Sequence, residues 1–186
     1  MERLESLPHP DRVFFDGLRI DEVDATLRRM TEQVSVSREI SAPAEQVWAM
    51  VADVTRMGEW SPENEGGTWL GGATSAQPGA KFRSTNRVGK RKWKTVATVV
   101  DSESGSRFSF RVGTMGLKVA EWSYTFEPTP TGCKVTESWV DQRPGFFKPI
   151  TQLATGVTDR ASHNRAGMTQ TLDRLAAVAE SGSTPR

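Results

Sequence analysis

The chain has 186 residues, 36% of them hydrophobic and 25% charged, with a formal net charge of +1. That length suits one domain with a single sizeable core; the charge gives no overall electrostatic reason to bind nucleic acid or an anionic membrane, though a local patch is not excluded. No apolar run reaches membrane-spanning length, so no integral membrane association is expected, and a lone cysteine, Cys133, with no leader-like N-terminus points to a reducing, cytoplasmic location.

Residues 1–32 read as an extension, partly helical or disordered. Pro8, His9, Pro10 and Asp11 have turn chemistry, and Ile20, Val23, Leu27 and Met30 share one face of a short amphipathic helix. That face would dock on the domain or on a second copy in a homodimer; alternatively, Met30 is the true start. The domain proper is read as 33–180, with 181–186 a disordered tail.

Val34, Val36 and Ile40 alternate with polar residues, a strand pattern interrupted by Arg38. Pro43 suits the first position of a helix carrying Ala44, Val47, Trp48 and Val51, and Asp53 caps a second short helix that Gly58 ends after Met57. A weak strand spans Glu63 to Leu70. Lys81 to Val88, a tight turn at Gly89-Lys90, and Arg91 to Val100 make a hairpin. Asp101 to Gly105 turns the chain into strands over Arg107 to Val112, Leu117 to Glu127 and Cys133 to Asp141. The final stretch, Pro149 to Glu180, reads as one long helix with Ile150, Ala154, Val157, Ala161, Asn164, Met168, Leu172, Leu175 and Ala179 on its buried stripe. The first half of that stripe is small. Either it walls a ligand cavity, or large strand residues fill the space opposite it.

One-faced alternation in consecutive hairpins means an antiparallel sheet with one wet face, and only the terminal helix is long enough to cover the dry one. The fold class is therefore α+β. The order, together with Ile40-Ser-Ala-Pro-Ala-Glu-Gln-Val-Trp48, Asp53 to Trp60, Trp122 to Pro128, Val135 to Trp139, and Asn164-Arg-Ala-Gly-Met168 with Leu172, resembles the START-like or helix-grip superfamily. That superfamily includes the Bet v 1 allergens, lipid-transfer START domains and the polyketide cyclase/dehydrase group. The resemblance implies a curved antiparallel sheet of six to seven strands wrapped around a long C-terminal helix, with two short helices after the first strand. It also implies an elongated cavity that takes lipids, polyketides or other apolar molecules.

Strand parity puts Phe82, Ser84, Asn86, Phe108, Phe110, Trp122, Tyr124, Phe126, Val135, Glu137 and Trp139 on the dry face; Trp93, Ala97 and Val99 compete with Val96 and Val100 for it. From the helix, Ala154, Val157, Ala161 and Asn164 are expected to line the cavity, and Met168, Leu172 and Leu175 to pack on the sheet. Glu137 is the informative residue, because an unpaired ionised carboxylate in an apolar interior is costly. In the structural account it pairs with Arg83 or Arg111, or the strand twists it towards water. In the functional one it anchors a ligand or acts as a general acid or base. Tyr124, Asn86 and Asn164 would orient a ligand or tie down the core.

The two histidines, His9 and His163, lie far apart, with His163 off the stripe on the solvent side. Neither a metal site nor a Cys/His pair is expected, and no Gly-rich phosphate loop supports a nucleotide cofactor. Lys90, Arg91, Lys92 and Lys94 around Trp93 read as a solvated cluster protecting a sheet edge. Gly145-Phe-Phe147, with Trp60 and Met57, would form an apolar lip to the cavity or a staple at the helix entrance. The leading expectation is a protein that binds a hydrophobic small molecule. A polyketide cyclase/dehydratase using Glu137, Tyr124 and Asn164, and a stress or co-chaperone-like interaction module, are the alternatives.

Overall fold

In the computed structural model of the protein, the described residues are 32–114 and 116–181. The expected helix with Ile20, Val23, Leu27 and Met30 falls in a separate unit, Met1–Thr31, and with the tail after residue 181 lies outside the described residues.

Seven strands form one antiparallel sheet in the order β1-β7-β6-β5-β4-β3-β2. They are β1 (Gln33–Ile40), β2 (Asn64–Leu70), β3 (Lys81–Val88), β4 (Arg91–Glu103), β5 (Arg107–Thr114), β6 (Leu117–Thr129) and β7 (Gly132–Asp141). The first strand returns to pair with the last, Val36 opposite Glu137, so the crossing from β1 to β2 carries the chain to the far edge of the sheet. The sheet curves around its dry face, in the helix-grip arrangement.

Helix α1 (Ala44–Ala52) follows β1, with Pro43 as its cap rather than its first residue. Asp53 then accepts a bond from the Thr55 amide and starts a 3-10 turn, Val54–Glu59. Gly58 lies inside that turn and does not end it. A Cβ there would come within 2.9 Å of the Glu65 backbone, so glycine is needed because the turn rests on β2.

The expected single terminal helix is two. Helix α2 (Lys148–Thr155) ends at Gly156, whose φ of 77° is left-handed, and α3 (Arg160–Ser181) begins after Asp159 accepts a bond from the Ser162 amide. A glycine C-cap followed three residues later by an aspartate N-cap is a helix stop and restart. The hydrophobic spacing runs through the break unchanged and so conceals it. Ile150, expected in the buried stripe, is 55% exposed.

Strand β4 also continues beyond the expected turn at Asp101, through a bulge between Val99 and Asp101. Before the bulge Ala97 and Val99 are buried while Val96 and Val100 are exposed, which resolves the parity. The core gathers Ile40, Val47, Val51, Phe82, Phe108, Phe126, Val135, Leu172 and Leu175 under α1 and the C-terminal half of α3. A smaller cluster of Val34, Ala120, Trp139 and Met168, with Ala161 packed against it, closes the other end of α3 on the sheet. No helix among the described residues is long and apolar enough to cross a membrane.

Candidate functional site

Between the inner face of the sheet and the N-terminal half of α3 lies a cavity of about 590 Å³. Interiors ordinarily pack without voids of this size, so the space is a built feature of the fold. The strand residues Phe82, Ser84, Asn86, Phe110, Trp122, Tyr124, Glu137 and Trp139 line it, and Ala154 and Asn164 line it from the helices. Three residues expected there lie elsewhere. Phe108 is fully buried in the main core, Val157 is buried after the helix break, and Ala161 packs on the smaller cluster. Met168, expected only to pack, does both: it belongs to that cluster and reaches the cavity wall.

Register explains the polar centre. Tyr124 on β6 and Glu137 on β7 are directly opposite in the ladder, so their side chains leave the same face side by side. Tyr124 Oη donates a 2.7 Å hydrogen bond to Glu137 Oε1. Among the described residues no arginine pairs with Glu137: Arg111 is bound to Glu121 on the wet face, and Arg83 is on the exposed side of β3. Burial pushes the Glu137 carboxyl up to about 8, offset in part by the Tyr124 hydrogen bond, so at neutral pH it is largely protonated. Burial, with the carboxyl beside it, raises the Tyr124 phenol well above its ordinary value.

Two side-chain atoms at this centre have no hydrogen-bond partner among the described residues, Glu137 Oε2 and Asn164 Nδ2. Glu137 is 3% and Asn164 4% exposed, so neither finds bulk water. Because Tyr124 occupies Oε1 as a donor, the proton of the neutral carboxyl belongs on Oε2 and is available to an acceptor, as are the hydrogens of Asn164 Nδ2. Both residues line the cavity, Glu137 from the sheet and Asn164 from the helix. Asn86 is different: its amide donates to Thr95 Oγ1 at 3.1 Å and is satisfied within the sheet.

Charged residues around the cavity were less accessible to sequence reasoning. Glu63, just before β2, takes a bidentate pair from Arg160 at 2.7 and 3.1 Å, and His163 Nε2 lies 2.9 Å from its Oε2. Burial opposes ionisation of Glu63, but the bonds from His163 and Arg160 outweigh it and hold the carboxyl below its ordinary value. His163, expected on the solvent side, is therefore a cavity-lining residue that ties α3 to β2. The only signal in the sequence is the helical spacing of Arg160, His163 and Asn164, which says nothing of a partner a hundred residues away. Arg143 also lines the cavity; it clamps buried Asp141 with 2.8 and 2.9 Å bonds and donates to Thr151 of α2.

Of the expected apolar lip, Met57, Trp60 and Phe147 line the cavity, whereas Phe146 is 68% exposed. Among the described residues no group of three His, Cys, Asp or Glu side chains is placed to hold a metal ion.

Comparisons with known proteins follow the same lines. The model of a family described as polyketide cyclase / dehydrase and lipid transport matches residues 31–180. A search of the curated proteins gives no match. Among solved structures, the Polyketide_cyc-like protein Cgl2372 from Corynebacterium glutamicum is 29% identical, with a TM-score of 0.54 over 80% of this chain and 91% of that one. The di-domain ARO/CYC StfQ of the steffimycin biosynthetic pathway has a TM-score of 0.66 at 15% identity, covering 87% of this chain and 55% of its own. Protein CV1439 from Chromobacterium violaceum has a TM-score of 0.60 at 17% identity over 80% and 97% of the two chains. At their identities the last two speak to the fold alone.

Proposed function

The chain belongs to the polyketide cyclase/dehydrase and lipid transport family, and from that footing we propose that it binds a hydrophobic or amphipathic small molecule, lipid-like or polyketide-like, between the sheet and the C-terminal helices. One observation carries this reading: a cavity of about 590 Å³ is lined by Glu137 and Asn164, whose buried Oε2 and Nδ2 atoms have no hydrogen-bond partner among the described residues. An unmade hydrogen bond in a buried site costs about 1–3 kcal/mol, and a ligand oxygen placed between these donors would recover it. Phe82, Phe110, Trp122 and Trp139 would bury the rest of the ligand.

A second reading has its own support. A carboxyl titrating near 8, hydrogen-bonded to a phenol and without a partner on its other oxygen among the described residues, suits proton transfer in a cyclase or dehydratase reaction. In that reading Glu137 moves the proton, while Tyr124 and Asn164 orient the carbonyl. The open cavity disfavours a module that only docks on other proteins, since such a module needs no internal space.

Native mass spectrometry of freshly purified protein, followed by extraction and identification of bound molecules, tests the binding reading. The expected result is a bound apolar species lost in Glu137→Gln or Asn164→Leu. Protein free of ligand that shows no thermal shift against a lipid and polyketide panel would overturn it. Turnover of a panel member by the wild type, abolished in Glu137→Gln with binding retained, would assign the second reading.

A further inference from the structure

Helix α2 is turned the wrong way for a helix of a folded domain. None of its residues is buried, and Ile150 and Leu153, at 55% and 78% exposure, point outward with Phe146 at 68%. These three are the most exposed large apolar side chains among the described residues, and they fall within eight positions. The helix is held to the protein by polar bonds instead: Arg143 to Thr151 Oγ1, Lys148 to Asp141, and Gln152 to the Thr158 carbonyl. An exposed apolar cluster of this kind marks an interaction site.

The charge beside it identifies the partner. Helix α2 packs near β4, and the Arg91 guanidinium lies directly against Gly156 at its C-terminal end. There is no acidic residue from Lys81 to Val100 or from Gln142 to Thr158. Glu65, next to the hairpin, is neutralised by Arg87 and Lys92, and Asp141, under α2, by Arg143 and Lys148. Lys90, Arg91 and Lys94 remain exposed with no ion pair among the described residues. The hairpin is not at a sheet edge, because β2 and β5 flank β3 and β4, so edge protection does not account for its charge.

We propose that α2 with Phe146, and the β3–β4 hairpin beside it, form a docking surface for an anionic lipid bilayer. The apolar side chains enter the headgroup boundary while Lys90, Arg91 and Lys94 meet lipid phosphates. A second copy of the chain fits less well, since an isologous contact would bring two unpaired cationic hairpins together. Phe147 and Ile150 reach both this surface and the cavity, so docking sets the cavity opening against the membrane.

Co-sedimentation of the full chain with vesicles of equal parts phosphatidylglycerol and phosphatidylcholine tests the proposal independently of what the cavity holds. Binding is expected, with strong loss at high salt and little binding to phosphatidylcholine alone. Phe146→Ser with Leu153→Ser, and separately Lys90→Gln with Lys94→Gln, should each weaken binding about tenfold or more. Val178→Ser, at an exposed apolar position on α3, should leave it unchanged. Thermal midpoints near that of the wild type establish that the variants fold, as expected for exposed positions. Absence of binding to the anionic vesicles, or equal binding by all variants, overturns the proposal. So does a dimer in sedimentation velocity that Leu153→Ser dissociates while the wild type ignores vesicles; that result assigns the face to a second copy.

Discussion

Tyr124 and Glu137 face each other across adjacent strands and share a 2.7 Å hydrogen bond in a site where they are 5% and 3% exposed. The carboxyl is held in its neutral form by burial, and the bond uses only one of its oxygens.

This arrangement fixes the pH dependence of stability. The Glu137 carboxyl rises from 4.5 to about 8 on folding. The folded state therefore holds a proton that the unfolded chain has released. Its contribution is whole below about pH 4.5, falls as pH rises towards 8, and is lost above that. Across that window the slope is at most about 1.4 kcal/mol per pH unit. Urea unfolding at a series of pH values should show this decline in the wild type. In Glu137→Gln it should be absent, leaving a flatter profile.

Tyr124→Phe separates anchoring from packing. It keeps the ring and removes the donor, leaving both Glu137 oxygens unpaired at a cost of about 1–2 kcal/mol in denaturant unfolding. Loss of the Tyr124 bond, which lowers the carboxyl, should also move Glu137 titration upward, observable by carbon-detected NMR of the side-chain carboxyl. An unchanged titration would mean the bond has no part in setting the state of the carboxyl.

Cavity and core are separated by substitutions on the two C-terminal helices. Ala154 lines the cavity and is exposed, so Ala154→Trp should block ligand uptake with little change in stability. Ala161 packs against the Val34, Ala120, Trp139 and Met168 cluster, so Ala161→Trp should instead cost about 1–3 kcal/mol by overpacking. Leu172, 1% exposed, should cost about 2–5 kcal/mol as Leu172→Ala. Thermal shift with an identified ligand and urea unfolding of the apo protein distinguish the three.

Much of this was legible in the sequence because a strand has a period of two. The alternation in Lys81 to Val88 and Cys133 to Asp141 places Ser84, Asn86 and Glu137 inside with the aromatics, where the structure has them. Parity was ambiguous in the strand from Arg91, where valines stand on both faces, and the structure selects Ala97 and Val99 for the inside; the bulge after Val99 and the continuation of the strand beyond Asp101 had no signal in the alternation. A helical stripe is less informative, since Ile150, Ala154 and Val157 keep their spacing across Gly156 although the axis does not continue. The partner of Glu137 was unreadable for another reason: a carboxyl can be met by any donor, and only the β6–β7 register selects Tyr124 over an arginine. Glu63 with Arg160 and His163 joins segments a hundred residues apart, and no local pattern encodes that.

The Glu63 cluster gives the opposite pH dependence. Its carboxyl lies below the ordinary value of 4.5 once folded, because the bonds from His163 and Arg160 outweigh burial. The contribution is therefore complete above about pH 4.5 and is lost as pH falls through the lower folded value. Glu63→Gln removes the charge but keeps the shape, leaving Arg160, 19% exposed, without its ionic partner. The expected cost at pH 7 is about 1–3 kcal/mol, between the values for exposed and fully buried pairs. Since Glu63 joins the start of β2 to the first turn of α3, hydrogen exchange should rise at Arg160 to Asn164 more than at Leu172 to Ala179. A uniform rise along α3 would mean that the cluster supports the whole domain and does not specifically latch the cavity wall.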